Sequence, residues 1–299
     1  MSKILVIGGS GFLGSHVADE LSNRNHEVYI YDRTESKYLK SNQNMIVGDI
    51  LDQNLINESV NEMDYVYHFA AMADINDTRE NPTEAVKYNI LATMYILKAC
   101  VDFKVKRFIF SSSIYVYSKH GSFYRSTKQA CELFIENFKD EFNLDFTILR
   151  YGSLYGPRAN DFNFIRNSIK EALLHGVIKR KGDGNEVRDY INVIDAANSS
   201  SDILLDKYKN TYVMVTGNKS IKVKELLTMI KEIFNDKIEI KYLDDNYAGH
   251  YQLTPYTFKP NIALKIISEK YHDLGQGILD CIHKEFEELN KNGDKTINW

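Results

Sequence analysis

The sequence is poor in residues that punctuate or staple a chain, with four prolines, three cysteines and one tryptophan among 299 residues. Cys100, Cys131 and Cys281 lie far apart, with none of the CxxC or Cys/His spacings of a zinc site or disulfide framework. All three read as reduced core thiols, and no metal is expected. Neither charge sign dominates. The 41 Asp+Glu and 37 Lys+Arg give a net charge of −4 and a pI near 6.1, which excludes a mainly nucleic-acid-binding surface. No run approaches the roughly 18 apolar residues of a membrane span. The opening MSKILVIGG is too short in its apolar part for a signal peptide. A soluble, cytoplasmic protein is expected, with no nucleic-acid or membrane partner. Repeats and low-complexity tracts are also missing, and 43% hydrophobic with 26% charged residues is the composition of a globular domain.

Through the first half, short apolar runs alternate with longer stretches of helical pattern: Ile4 to Ile7, Val28 to Tyr31, Met45 to Val47, Tyr65 to Ala70, Phe108 to Phe110 and Phe146 to Leu149. This βαβα order predicts a parallel sheet. Several runs are apolar at consecutive positions, as in strands covered on both faces, so the expected class is α/β with a doubly wound parallel sheet. Pro157, after Tyr155-Gly156, is the best boundary. Residues 1–155 are expected to form one unit and 156–299 a smaller α/β unit. The smaller unit is predicted to hold a helix over Phe162 to His175, strands near Ile191 and Tyr212 to Val215, a helix over Val223 to Phe234 and a last helix after Gly277. The cut is approximate, since chain from the second half can return to the first sheet.

Ile4 to Ile7 runs directly into Gly8-Gly9-Ser10-Gly11-Phe12-Leu13-Gly14 and then into a helical pattern with Val17, Ala18 and Leu21 at core spacing. Strand, glycine turn and helix in that order form a pyrophosphate cradle. The turn is tight, the backbone approaches the ligand closely, and the helix packs hard on the strand. The helix N-terminus adds unpaired N–H groups and the positive end of a dipole. Three glycines alone also fit a plain tight turn. Asp32 ends the next strand, near the roughly 20-residue spacing of a ribose-binding carboxylate. A carboxylate there accepts hydrogen bonds from the ribose hydroxyls and repels a 2′-phosphate, which favours NAD over NADP. Arg33 beside it is the feature that would instead accommodate that phosphate. Gly48-Asp49-Ile50 suits an adenine contact, or an ordinary turn aspartate.

Phe110-Ser111-Ser112-Ser113 closes a strand at the carboxyl edge of the sheet, where open α/β folds place ligands. Tyr124 and Lys128 follow at a spacing that shares one helix face. Tyr115 and Lys119 have the same spacing, but Gly121 follows them, whereas Tyr124 opens a segment with Ala130, Leu133, Phe134, Phe138 and Phe142 at helical spacing. Bringing a phenol from a pKa near 10 to near 7 takes roughly 4 kcal/mol. One cation about 4 Å away supplies about that at an effective dielectric near 20. Lys128, helped by a positive nicotinamide ring, is thus expected to make Tyr124 a working base. Ser113 is expected to hydrogen-bond the same substrate oxygen. Ser112 competes for that place, and a cap or core-edge role fits either serine.

With these residues the chain resembles the extended short-chain dehydrogenase/reductase family, and within it the NAD-dependent epimerases and dehydratases of nucleotide sugars, the UDP-glucose 4-epimerase group among them. The resemblance runs from Gly8-x-x-Gly11-x-x-Gly14 and Asp32 through Gly48-Asp49, His68-Phe69-Ala70-Ala71, Asn89, Phe110 to Ser113 and Tyr124-x-x-x-Lys128. It continues through Arg150-Tyr151, Leu154-Tyr155-Gly156-Pro157-Arg158 and Gly182-Asp183-Gly184-x-x-x-Arg188-Asp189-Tyr190. It implies that residues 1–155 are a Rossmann NAD-binding domain and residues 156–299 a nucleotide-sugar-binding domain. It adds Ser10, Phe12, Leu13, Ile50, Phe69, Ala70, Ala71, Asn89 and Tyr151 to the cofactor contacts, with Tyr124 and Lys128 at the reacting end. It places Ser112, Ser113, Ser153, Arg158 and Arg188 at the substrate, a UDP-, GDP- or dTDP-hexose. Arg188 would hold a phosphate as a bidentate guanidinium, or else pair with Asp189 at the surface. His68 reads as structural.

Dehydratases and decarboxylases of the family typically follow the catalytic Ser/Thr with an acid, whereas Ile114-Tyr115 follow Ser113 here. This favours 4-epimerisation of a nucleoside-diphosphate hexose. The same residues would serve a one-way 4-dehydrogenase or ketosugar reductase. A non-catalytic dinucleotide sensor would have no use for a tuned phenol. The loop from Ser113 to Tyr124 is shorter than is usual in the family, and Ser153 stands where many members carry asparagine. The resemblance also implies a homodimer through helices around Thr83 to Cys100 and Lys128 to Phe142, whose apolar positions fit an internal core equally, and a place in polysaccharide or surface-glycan biosynthesis.

Overall fold

The structure, a computed structural model, describes residues 1–217 and 220–243. The helix expected after Gly277, and Cys281, lie outside the described residues. In chain order the elements are β1 (Lys3–Ile7), α1 (Phe12–Asn23), β2 (Glu27–Asp32), β3 (Gln43–Val47), α2 (Gln53–Val60), β4 (Tyr65–His68), α3 (Ile75–Glu80) and α4 (Pro82–Ala85). A π-helical stretch, Val86–Leu91, leads into α5 (Ala92–Asp102), β5 (Arg107–Ser113), α6 (Ser122–Phe142), β6 (Phe146–Tyr151) and β7 (Ser153–Tyr155). Then follow α7 (Phe164–His175), β8 (Val177–Lys181), β9 (Val187–Asn192), α8 (Val193–Asp202), β10 (Thr211–Val215), β11 (Ser220–Lys222), α9 (Val223–Ile233) and β12 (Glu239–Leu243).

Seven parallel strands lie in the order β10-β6-β5-β4-β1-β2-β3. The order reverses between β1 and β4, the switch point at which doubly wound sheets bind ligands. The consecutive apolar residues of each strand serve two cores. Leu5, Ile7, Phe108, Phe110 and Ile148 pack with Ile56 of α2, Ile96 and Leu97 of α5 and Ile135 of α6. Ile4, Val6, Ile30, Ile109 and Leu149 pack with Val17 and Leu21 of α1 and Val193 and Ala196 of α8. Cys100 and Cys131 are buried free thiols. The predicted strand over Tyr65 to Ala70 stops at His68, because the Phe69 and Ala70 N–H groups both turn onto the Ile7 carbonyl, at 2.7 and 3.1 Å.

The chain after residue 156 serves two places. α8 packs on α1, and β10 joins the main sheet beside β6. The remainder builds a three-stranded sheet, β11-β9-β7, and the parallel pair β12-β8. Ile178, Val223, Leu227, Ile230 and Ile238 form a third core there. β7 starts two residues beyond β6, so the main sheet delivers the chain straight to the edge of the cleft.

Candidate active site

At the end of β1 the backbone decides the geometry. Gly8 has φ +84°, and a Cβ on it would lie 2.5 Å from the Ala70 nitrogen. A Cβ on Gly14 would lie 2.2 Å from the Gly8 carbonyl oxygen. Both distances are far inside van der Waals contact, so only hydrogen fits. Gly11 caps α1 without any side-chain hydrogen bond, which leaves the first-turn N–H groups beside Phe12 and Leu13 open to an anion. Asp32 closes β2 against this turn, accepting from the Ser10 N–H at 3.1 Å. The Ser10 hydroxyl donates to the Thr34 carbonyl at 2.8 Å. Arg33 is exposed next to it. One strand further, the Asp49 carboxylate accepts from the Leu51 N–H at 2.9 Å, and Ile50 is nearly buried.

The stretch through Phe69, Ala70 and Ala71 lies against the glycine turn and is pinned from behind by Asn89. The Asn89 side chain accepts from the Met72 N–H at 2.7 Å and donates to the Met72 carbonyl at 3.1 Å and to Thr127 Oγ1 at 3.0 Å. Its amide hydrogens are thus both engaged by protein, so Asn89 supports the cofactor-side loop rather than offering donors of its own. His68 is structural. Its Nε2 lies 3.0 Å from Thr93 Oγ1, whose own proton goes to the Asn89 carbonyl at 2.6 Å, so Nε2 carries the ring proton. Burial holds its pKa down at about 3.

At the carboxyl end of β5 the chemistry-bearing side chains meet. The Ser113 hydroxyl hydrogen-bonds the Tyr124 phenol and accepts from the Tyr115 N–H at 3.3 Å. Lys128, buried one turn beyond Tyr124 on α6, donates to the Ser111 carbonyl at 2.6 Å. Its ammonium lies 4.6 Å from the centre of the Phe110 ring and 5.9 Å from that of Tyr124. The protein's own groups do not lower the phenol as the sequence argument asked. Burial pushes Tyr124 up to about 12, with Ser113 opposing, and pushes Lys128 down to about 8.

Three expected contacts do not face this site. Ser112 points to the opposite side of β5 and donates to Glu132 at 2.5 Å. Strand alternation gives the substrate face to Ser113. Tyr151 borders the cleft, but its hydroxyl is buried against Ser200 Oγ at 2.6 Å. Arg158 bonds Asp19 of α1 at 2.8 Å and lies 4.3 Å over the Tyr38 ring, outside the cleft lining. A group that the sequence reading missed is Glu132, which receives the Arg150 guanidinium through two bonds, at 3.0 and 2.6 Å, while Arg150 also bonds the Tyr117 hydroxyl.

A cleft of about 650 Å³ is lined by Ser113, Tyr115 and Tyr124, by Gly152, Ser153 and Leu154, and by Lys179, Arg180, Lys181 and Arg188. Arg188 is 7% exposed on β9. The lining therefore gathers cations from two strands, which suits a diphosphate.

A phosphate-cradling glycine turn, a carboxylate one strand away and a Ser–Tyr–Lys set beside one cleft define a nicotinamide-dinucleotide enzyme of the short-chain dehydrogenase/reductase type. More narrowly, the chain belongs to the NAD dependent epimerase/dehydratase family, whose profile matches residues 4–213. It is 30% identical over 267 residues to the UDP-N-acetyl-alpha-D-glucosaminuronate decarboxylase of Bacillus cytotoxicus, a match covering 81% of this chain and 83% of that one. It is also 30% identical over 251 residues to a putative UDP-glucose 4-epimerase of Methanocaldococcus jannaschii, covering 76% and 81%. Among solved structures, the UDP-glucose 4-epimerase of Thermotoga maritima with UDP-glucose superposes with a TM-score of 0.78 at 27% identity, over 86% of this chain and 90% of that one.

Proposed function

We propose that this protein is an NAD-dependent nucleotide-sugar epimerase that interconverts the C4 epimers of a UDP-hexose through a transient 4-keto sugar. The carrying observation is that one cleft is lined both by the Ser113–Tyr124 pair and by Arg188, Lys179 and Arg180. That lining suits a sugar hydroxyl at the pair and a diphosphate at the cations. The residues around the glycine turn fit NAD, with Gly8 and Gly14 leaving room for the pyrophosphate, the α1 N-terminus facing it and Asp32 placed for the ribose hydroxyls. NAD held there would supply the hydride acceptor and donor for C4, so the reaction would have no net redox change. Tyr124 takes the proton of the C4 hydroxyl and later returns it, while Ser113 holds the oxygen. Lys128, helped by the positive charge that oxidised NAD would bring, would have to lower the phenol from about 12.

The residues after Ser113 argue against dehydration and decarboxylation. Ile114 is 2% exposed, and Tyr115 has no carboxylate to offer. The acids lining the cleft among the described residues are Asp74 and Glu171. Asp74 caps α3 through the N–H groups of Asn76 and Asp77, and Glu171 accepts from the Lys179 N–H. Leu91, Leu133, Phe134 and Phe142 are exposed on and beside the packed α5 and α6, which supports a homodimer through that face. A cytoplasmic role in glycan biosynthesis accords with the family.

Denaturing the purified protein and identifying the released dinucleotide by mass spectrometry tests the cofactor. NAD near one per chain is expected, and NADP would overturn the reading of Asp32. Incubation with UDP-glucose should yield UDP-galactose by NMR without NADH accumulating. Stoichiometric NADH would identify a one-way dehydrogenase instead.

A further inference from the structure

Tyr115 lies in the cleft beside the catalytic phenol and has no part in the proton chemistry just described. Its ring meets the Tyr124 ring edge-on, with centroids 6.3 Å apart and planes at 82°. Gly121 is shaped to it. A Cβ there would come within 2.7 Å of the Tyr115 ring, and Gly121 has φ +100°. The turn that carries Tyr115 is tied down on several sides. Gln129 donates to the Val116 carbonyl at 2.8 Å, Arg125 to the Ser118 carbonyl at 2.9 Å, and Arg150 bonds the Tyr117 hydroxyl. This aromatic wall is therefore held against Tyr124 as a fixed surface.

We infer that Tyr115 is the specificity-determining residue of the sugar end, admitting hexoses whose substituents flanking C4 are small and uncharged and turning away hexuronates. The inference rests on the epimerase reading above. Two observations carry it. The ring occupies the space next to the phenol that holds O4, so a substituent on the neighbouring carbon packs against aromatic carbon. The cations lining the cleft among the described residues come from β8 and β9, not from the turn that carries Tyr115. Asp74, close in sequence to the cofactor-side loop, adds a negative charge to the lining. A sugar carboxylate brought against the Tyr115 ring would exchange water for aromatic carbon, a large cost for a buried charge. A hydroxymethyl group suffers no such loss.

The test compares UDP-glucose with UDP-glucuronate on the NAD-loaded protein and on Tyr115→Thr and Tyr115→Phe, reading turnover by NMR and affinity by calorimetry, with UDP alone as the reference. Wild type should prefer UDP-glucose by about tenfold or more in both readouts, the range that pocket shape and charge can supply. Tyr115→Thr should shrink that ratio several-fold while leaving UDP affinity unchanged, and Tyr115→Phe should keep it, since the ring is the determinant. A wild type that binds UDP-glucuronate as well as UDP-glucose overturns the inference, as does a Tyr115→Thr protein that retains UDP affinity and the wild-type ratio. The affinity ratio reads the inference even if neither sugar turns over, whereas absent turnover with intact binding selectivity would fault the epimerase reading alone.

Discussion

At the glycine turn the geometry is carried by backbone atoms, and at the catalytic end of the cleft by side chains. Gly8, Gly14 and the Ala70 backbone touch so closely that no side chain fits between them, whereas Ser113, Tyr124 and Lys128 meet from two elements, β5 and α6, whose register is set by packing elsewhere. The first kind of site fails by collision. The second fails by losing one chemical group while the scaffold stays intact.

The sharpest contrast comes from Tyr124→Phe, which removes one hydroxyl and should lower kcat by about 10³–10⁴ with NAD content and melting temperature unchanged. Steady-state kinetics and mass spectrometry of the released dinucleotide read both quantities, and substantial residual turnover would remove Tyr124 from the chemistry. Gly14→Ala should do the reverse damage. Its methyl would lie 2.2 Å from the Gly8 oxygen, so a loss of about 3 kcal/mol in stability is expected from overpacking, together with loss of retained NAD. A variant that melts normally and still carries NAD would show that the turn can yield.

Lys128 separates stability from activity. Burial lowers its pKa from 10.5 to about 8, so the folded state resists a proton that the unfolded chain keeps. That penalty is full below pH 8 and disappears as pH rises from about 8 to 10.5. Lys128→Met should therefore abolish activity yet stabilise the protein by about 2 kcal/mol near pH 7, after the lost bond to the Ser111 carbonyl is counted. The gain should shrink towards pH 10, and thermal melts at the two pH values measure it. A variant less stable than wild type at pH 7 would show that the ammonium is a net stabiliser. Smallest in its effect on rate is Ser112→Ala. It removes the bond to Glu132 and should cost about 1–2 kcal/mol of stability with kcat/KM within about twofold, while Ser113→Ala should lose about 10² in kcat. Equal losses of rate at both positions would contradict the assignment of the two faces of β5.

The same contrast explains what could be read in the sequence. The alternation of strands and helices, the glycine turn and the carboxylate at the end of β2 are legible because they are set by neighbouring residues. The Tyr124–Lys128 face is legible once the segment is recognised as a helix. Ser112 and Ser113 could not be separated, because β5 is covered on both faces and its hydropathy carries no alternation to mark which serine looks outward. Tyr151 and Arg150 fall on opposite sides of β6 for the same reason. The π-helical stretch holding Asn89 has the same composition as an α-helix and shows itself only in backbone hydrogen bonds. The cations on β8 gain their place from pairing with β12, a contact between segments some sixty residues apart.

The position of β10 bears on how the protein is made. During synthesis β6 is complete long before Thr211 to Val215 emerge to cover its open edge. At roughly 5–20 residues per second on the ribosome, that edge waits several seconds, with the backbone donors and acceptors of Thr147 to Tyr151 unpaired on that side. The nascent chain is most exposed to intermolecular strand pairing in that interval. Conditions that slow elongation between Pro157 and Thr211 should therefore lower the soluble yield of this protein more than the same delay placed after Val215.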